Sequence, residues 1–403
     1  MTTTRRLLIL GSTGSIGVQT LEVVRHLDAL ARAGASPVRY EVVGLSAGRN
    51  AQRLFEQASA MGVRDLALAE PTDDPAPGGA TLRSGPDAAE RLVREIEADL
   101  VLGAMVGYAG LPATMAAVEL GRDVALANKE TLVSAGALVT HACARTGSRL
   151  LPVDSEHSGV WQALLARAPG DPCQPPLQAG DDVARIILTA SGGALRTRSK
   201  ADTYHATVED ALNHPNWDMG AKVTVDSASL TNKALELVEA AWLFGVGSDR
   251  LDVLVDPASV VHAIVEFSDG SSVAQMGAPD MRTPIQYALT HPARVRGCSD
   301  TIDWSALGAV ELSPPDHERF PALAMGYRVI DEGGTAGAVF NAANERAVEA
   351  FLDRAIPFGR IAELVDHAMK SVGISPVRDL ADVEDADRAA REAVDAQLTG
   401  AAR

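Results

Sequence analysis

The most constraining feature of the chain is a rhythm in its first 154 residues. Six short apolar runs, Leu7–Leu10, Tyr40–Leu45, Leu66–Leu68, Leu100–Leu102, Val124–Ala127 and Leu150–Val153, alternate with segments of helical hydrophobic period. Unbroken apolar strands separated by helices imply a mostly parallel sheet with both faces covered, since such strands have no side that tolerates water. The fold class is therefore α/β, with a Rossmann-like parallel sheet at residues 1–154.

The rhythm then changes. Residues 155–300 read as an α+β domain with strands at Val183–Thr189, Lys222–Val225, Leu251–Val255, Val260–Phe267 and Ser271–Met276. The step Ser268-Asp269-Gly270 between the last two marks a hairpin. Pro169 to Asp182 lacks periodicity and reads as an exposed loop. Residues 301–315 form a linker. From 316 to 403 the stripes Phe340, Ala343, Ala347, Phe351 and Ile361, Leu364, Val365, Ala368 predict a helical bundle, punctuated at Gly333-Gly334 and Ile356-Pro357.

Composition excludes several functions. Hydrophobic residues at 46% supply a sizeable core, while 36 cations against 53 anions give −17, unsuited to gripping nucleic acid or anionic membrane. An anionic ligand must then meet a local cluster of donors. Cys143, Cys173 and Cys298 are far apart and outside any CxxC spacing, so neither a disulfide framework nor a thiolate zinc site is expected; a cytoplasmic protein fits. No apolar stretch reaches the length of a membrane span.

Directly after the first strand stands Gly11-Ser12-Thr13-Gly14-Ser15-Ile16-Gly17, opening a helical pattern. Such a turn points free backbone N–H groups at a dinucleotide pyrophosphate, although GxxGxxG is looser than GxGxxG and a structural turn is the plain alternative. The second strand runs into Ser46-Ala47-Gly48-Arg49-Asn50, with a cation and an amide where an NAD enzyme usually carries an acid. That favours NADP(H). Asn128-Lys129-Glu130 follows the fifth strand, at the same sheet edge.

Asp154 and Glu156 stand two apart at the end of the sixth run, so in extended chain they point the same way. Asn232, Lys233 and Glu236 share one helix face by their i, i+3 and i+4 spacing. Taken alone, Lys233 with Glu236 is a surface ion pair worth about 0.3–0.5 kcal/mol. If the three carboxylates meet, their repulsion calls for a divalent cation, and an all-oxygen site means Mg²⁺ or Mn²⁺. Ser191-Gly192-Gly193 after a strand can wrap an oxyanion with Ser227, Asn232 and Lys233 as further donors. His214-Pro215-Asn216-Trp217-Asp218-Met219-Gly220 has the composition of a lid near 205–221, or of a packed turn around a tryptophan.

Together, Gly11–Gly17, Leu126-Ala-Asn-Lys-Glu130, Pro152-Val-Asp-Ser-Glu-His157, Ser191-Gly-Gly193, His214-Pro-Asn-Trp217 and Asn232-Lys-Ala-Leu-Glu236 closely resemble the 1-deoxy-D-xylulose 5-phosphate reductoisomerase family, over nearly the whole chain. The resemblance implies a homodimer that converts a sugar phosphate, 1-deoxy-D-xylulose 5-phosphate, to 2-C-methyl-D-erythritol 4-phosphate with NADPH and Mg²⁺, Mn²⁺ or Co²⁺. It implies Asp154, Glu156 and Glu236 as metal ligands. Ser155, Glu156, Ser191, His214, Trp217, Ser227, Asn232, Lys233 and Glu236 would line the substrate. Thr13, Gly14, Ser15, Ile16, Gly48, Arg49, Asn50, Asn128, Glu130 and Gly220 would line NADPH, with Lys129 between cofactor and substrate. Lys129, Asp154, Glu156, His214 and Glu236 would carry the catalysis. Ala190 before Ser191 and Asp218 in the lid depart from the family pattern, the latter placing a negative charge over a phosphate.

Two other readings compete. A semialdehyde or glyceraldehyde-phosphate type dehydrogenase needs an activated cysteine, and none of the three has a glycine-rich or helix-opening setting. An NADP-sensing regulator assigns no purpose to Asp154, Glu156 and Glu236.

Overall fold

The structure, a computed structural model, describes residues 2–167, 174–217 and 219–400. Cys173, the start of the Pro169–Asp182 loop and Asp218 fall outside the described residues.

The first sheet is built as the apolar runs dictate. Strands β1 (Thr3–Leu10), β2 (Val38–Ala47), β3 (Asp65–Leu68), β4 (Thr81–Ser84), β5 (Leu100–Gly103), β6 (Asp123–Leu126) and β7 (Leu150–Pro152) pair in parallel in the order β4-β3-β2-β1-β5-β6-β7. Each apolar run lies within or overlaps a strand. The additional strand β4, Thr-Leu-Arg-Ser, has no apolar run to betray it and sits half exposed at the sheet edge. Strand order reverses direction between β1 and β5, which opens a crevice at the carboxyl ends of the strands.

The glycine turn occupies that crevice. Gly11 takes φ +81°, and a Cβ there would stand 2.4 Å from the Ala104 carbonyl oxygen; a Cβ on Gly17 would stand 2.4 Å from the Gly11 oxygen. Both glycines are therefore required by close approach of backbone to backbone. Ser12 N–H donates to the Ser46 carbonyl at 2.8 Å, tying the turn to the end of β2.

The second sheet comprises β8 (Val183–Ala190), β9 (Leu251–Val255), β10 (Val261–Phe267) and β11 (Ser272–Met276) in the order β11-β10-β8-β9. β10 and β11 form the expected antiparallel hairpin, turning at Gly270 with φ +85°. The strand expected at Lys222–Val225 is instead the helix Ala221–Ala228. Its β-branched alternation mimics a strand, but tertiary packing overrides propensity: Asp226 and Ala228 are wholly buried, and the helix contacts those at Val208–Leu212, Thr231–Phe244 and Ala336–Leu352. The described part of the Pro169–Asp182 loop is also not freely exposed. The Pro175 carbonyl accepts from Leu150 N–H, and Leu177 and Ala179 donate to Leu243 and Phe244.

Beyond residue 316 the described chain is helical, at Ala322–Glu332, Ala336–Leu352, Arg360–Ser371 and Leu380–Gly400. Phe340, Ala343, Ala347 and Phe351 are buried, as are Ile361, Leu364, Val365 and Ala368. The helix Ala336–Leu352 lies against Lys129–Thr146 so closely that a Cβ on Gly337 would collide with the Val133 carbonyl. Among the described residues no helix is long and apolar enough to cross a membrane.

Candidate active site

Asp154 and Glu156 do converge, but not through an extended chain. Asp154 is the N-cap residue of the helix Ser155–Leu164, and Glu156 lies in its first turn. Helix start and not strand alternation aims both carboxylates, and the helix dipole favours negative charge at that end. Glu236 arrives from the first turns of the helix Thr231–Phe244, and one oxygen from each of the three lies within 4.8 Å of the others.

Lysines interleave these acids. Lys129 Nζ stands 2.6 Å from Asp154 Oδ2 and 2.7 Å from both Glu236 Oε1 and Asn232 Oδ1. Lys233 Nζ lies 2.5 Å from Glu156 Oε1 and also pairs with Glu236 Oε2. Burial disfavours the Lys129 ammonium, yet Asp154 and Glu236 outweigh it and hold its pKa well above the ordinary lysine value. Lys233 is likewise raised, against burial, by Glu156 and Glu236. Burial and then the Glu236 charge push the Glu156 carboxyl up, whereas Lys129 draws Asp154 down despite its burial. Three carboxylates thus face two ammonium groups, and an all-oxygen donor set with surplus negative charge suits a hard divalent cation.

Two neighbours of this cluster escaped sequence reasoning. His157 is wholly buried; its Nε2 donates to the Glu236 carbonyl at 3.0 Å and its Nδ1 lies 3.3 Å from Glu239 Oε2. Burial lifts the Glu239 carboxyl to about 7. The i, i+3 steps from Asp154 to His157 and from Glu236 to Glu239 were the visible signals.

The residues expected to donate to an anion line the same cavity. Ser191 follows β8 directly, and its hydroxyl bonds His214 Nε2 at 2.9 Å and accepts from Gly193 N–H at 3.1 Å. His214 Nδ1 accepts from the N–H groups of Asn216 and Trp217, at 3.2 and 3.0 Å. With Nδ1 committed as an acceptor, the proton resides on Nε2, which is then a donor into the cavity. Burial, aided by Arg196, depresses the imidazole to about 4, so it stays neutral. Asn216 donates to the Pro257 carbonyl and Ser259 Oγ, anchoring the segment expected to form a lid.

Gly193, at φ +68°, passes so near Ser227 that a Cβ would stand 2.5 Å from its carbonyl oxygen. Leu230 takes φ +58°, a strained conformation for leucine, at the turn that lets Ser227 and Asn232 face one cavity from successive helices.

That cavity, of about 180 Å³, unites most of the predicted residues. It is lined by Ser15 and Ile16 of the glycine turn, by Lys129 with the three carboxylates and Ser155, and by Ser191, His214, Trp217, Ser227, Asn232 and Lys233. Asn232 and Lys233, expected at a phosphate, point here to Glu236 and Glu156. Met219, from the segment expected to form a lid, lines it as well; His262, Met281 and Ser259 also do and were missed, because His262 sits in an ordinary apolar alternation and the other two carry no motif. Burial, then the Lys233 charge, lowers His262 to about 4.

The remaining cofactor candidates lie around the crevice. Gly14 caps the helix Ser15–Arg32, whose first N–H groups have no helical acceptor, and Thr13 precedes it. Gly48, Arg49 and Asn50 are exposed after β2, and Asn50 caps the next helix through Arg53 N–H. Among the described residues Arg49 has no ion-pair partner. Asn128 and Glu130 are buried with internal partners: Asn128 bonds the carbonyls of Met105 and Gly107, and Glu130 pairs with Lys222. Gly220 caps the helix Ala221–Ala228 in open space.

Comparisons with known proteins give a consistent picture. Three family models match in sequence order: 1-deoxy-D-xylulose 5-phosphate reductoisomerase at residues 7–136, the C-terminal domain of that enzyme at 150–244, and the DXP reductoisomerase C-terminal domain at 276–393. The chain is 47% identical to the 1-deoxy-D-xylulose 5-phosphate reductoisomerase of Anaeromyxobacter dehalogenans over 379 residues, 93% of this chain and 92% of the relative. Against that of Symbiobacterium thermophilum it is 47% identical over 399 residues, 96% of each. Among solved structures it resembles the Zymomonas mobilis reductoisomerase in complex with NADPH, with TM-score 0.85, 39% identity and coverage of 98% and 99%. It also resembles a DOX-P reductoisomerase in complex with NADPH, fosmidomycin and magnesium, with TM-score 0.88, 32% identity and coverage of 98% of each chain.

Proposed function

The chain belongs to the 1-deoxy-D-xylulose 5-phosphate reductoisomerase family, and from that premise we propose how its own residues divide the work. The enzyme is an NADP-dependent oxidoreductase. It rearranges and reduces 1-deoxy-D-xylulose 5-phosphate to 2-C-methyl-D-erythritol 4-phosphate, with NADPH and a divalent cation, in isoprenoid precursor synthesis. The observation that carries this reading is that the nucleotide turn, three convergent carboxylates and the Ser191–His214 donor pair all line one cavity.

Asp154, Glu156 and Glu236 are the metal ligands in this reading, supported by their mutual reach within 4.8 Å and their all-oxygen chemistry. A bound Mg²⁺ or Mn²⁺ supplies Lewis acidity toward substrate oxygens. The protein does the rest. Ser191, His214 and Ser227 hold the phosphate, with His214 donating from Nε2 while remaining neutral. Asn232 and Lys233 bridge the phosphate to the carboxylates. Lys129, an ammonium throughout the working pH range, steadies developing oxyanions between cofactor and substrate. Trp217 and Met219 cover the cavity and exclude water, and Gly220 gives the lid its hinge. The N–H groups of the Gly14–Ile16 turn receive the pyrophosphate, and Arg49 the 2′-phosphate. Asn128 and Glu130 contribute by shaping the loop beneath the cofactor.

The chain divides in this reading into an NADPH-binding unit at 1–154, a catalytic unit at 155–300, a linker and a helical unit from 316. A cytoplasmic homodimer completes it; exposed Trp304, Val310 and Leu312 on the linker are apolar side chains that a second copy would cover, and sedimentation tests this. The function is tested by following NADPH absorbance with 1-deoxy-D-xylulose 5-phosphate, with and without chelator. Turnover should vanish with chelator, and Glu236→Gln should abolish it while leaving NADPH affinity unchanged. Chelator-resistant oxidation would overturn the reading.

A further inference from the structure

We propose that Lys222 is a positioning residue for the reaction: together with Asp226, Asn344 and Glu345 it locks the lid hinge and the turn bearing Lys129 into one frame held by the C-terminal helices. The proposal rests on the functional reading above, which supplies the roles of Lys129 and the lid.

Lys222 lies two residues beyond Gly220, in the first turn of the helix Ala221–Ala228. Its Nζ stands 2.8 Å from Glu130 Oε1 and 2.9 Å from Asp226 Oδ2. Glu130 Oε2 accepts from Asn128 Nδ2 at 3.0 Å, and Asn128 in turn bonds the carbonyls of Met105 and Gly107 and caps Thr131 N–H. Lys129 is therefore flanked by two residues whose side chains are both pinned.

The frame closes through the C-terminal helix Ala336–Leu352. Glu345 Oε1 accepts from Tyr108 N–H at 3.1 Å, and its Oε2 pairs with Arg391 at 2.6 Å. The adjacent Asn344 donates to Asp226 Oδ1 at 2.8 Å. One path thus runs from Lys222 through Glu130, Asn128 and the Gly107–Tyr108 loop to Glu345, then by Asn344 and Asp226 back to Lys222. Gly107, at φ +73°, is open to this path only as glycine, since a Cβ would stand 2.7 Å from Glu345 Oε1.

Asn128, Glu130, Asp226 and Asn344 are all buried. Losing one member strands the others without water, so the network holds a single arrangement. What it holds is specific: the turn carrying Lys129, the loop beside the glycine turn, and the C-terminal hinge of the lid. Lys222, Glu130, Asn128, Asp226, Asn344 and Glu345 all lie outside the cavity lining while Lys129 is in it, so the effect on chemistry is through placement. A displacement of about 1 Å at such a site costs on the order of 100-fold in rate.

The test compares Lys222→Met, Lys222→Arg and Asn344→Ala with the parent enzyme. Measured are kcat, KM for 1-deoxy-D-xylulose 5-phosphate, NADPH affinity by fluorescence in the absence of substrate, and melting temperature. Lys222→Met should lower kcat by about 10- to 100-fold and weaken NADPH several-fold, with Lys222→Arg recovering most of kcat. Asn344→Ala, outside the cavity lining, should shift kcat and NADPH affinity in the same direction by a smaller factor, and it keeps the test decisive if Lys222→Met fails to fold. A lower melting temperature with kcat and NADPH affinity within twofold of the parent in the folded variants would overturn the inference. A parent enzyme that oxidises no NADPH with this substrate would instead overturn the functional reading.

Discussion

Lys129 Nζ and Glu236 Oε1, 107 positions apart in the chain, meet at 2.7 Å. The lysine begins the helix Lys129–Thr146 after β6 of the first sheet and the glutamate belongs to the helix Thr231–Phe244, so their contact joins the edge of that sheet to the carboxylate cluster. The ammonium occupies the flank of an oxygen that a cation would also use.

With Asp154 and Glu236 as the proposed metal ligands, a divalent cation competes with Lys129 for both carboxylates. Lys129→Met should bind Mn²⁺ several-fold more tightly, read by electron paramagnetic resonance titration, while turnover falls by about 100-fold. Weaker Mn²⁺ binding in this variant would mean the lysine supports the cation site instead of opposing it.

His214 and His262 both titrate near 4 in the folded chain, below the ordinary 6.5. The unfolded chain consequently binds more protons between these values. Their contribution to stability is complete above about pH 6.5 and is lost as pH falls through 4. Melting temperature should decline over that window, and His262→Phe should flatten part of the decline relative to the parent. Because His214 is already neutral at pH 6, no imidazole ionisation from it should appear in kcat/KM between pH 6 and 8.

Arg49 is exposed at the end of β2, next to the segment bonded to the glycine turn. Arg49→Ala should raise KM for NADPH by about 10-fold and leave NADH kinetics nearly unchanged, since only the 2′-phosphate loses a partner. Equal losses with both cofactors would place Arg49 at the pyrophosphate.

Ser191, His214 and Ser227 line the same cavity as the carboxylates, and in the proposed reading they hold the phosphate of the sugar. In that reading, binding energy realised at the phosphate closes the Trp217 segment, so 1-deoxy-D-xylulose without phosphate should lose kcat as well as affinity. Steady-state kinetics at saturating NADPH checks this, and an unaltered kcat would remove phosphate from the closure step.

The sequence alone determined the parallel sheet, because strands buried on both faces must be apolar throughout and glycines at a crowded turn have no substitute. It likewise determined that Asn232, Lys233 and Glu236 share a face, a local property of their spacing in any helix. Local signals failed where a partner distant in sequence decides the outcome. Lys222–Val225 has the alternation of a strand and becomes a helix because Asp226 and Ala228 find buried neighbours there. Asp154 and Glu156 converge by a helix start that no two-residue spacing discloses. Only the tertiary structure paired Lys129 with Glu236, enclosed His262 and Glu239, and set Asn344 against Asp226. A side chain's charge is written in its residue type, but its field depends on groups brought near by folding, across separations that leave no periodic trace in the chain.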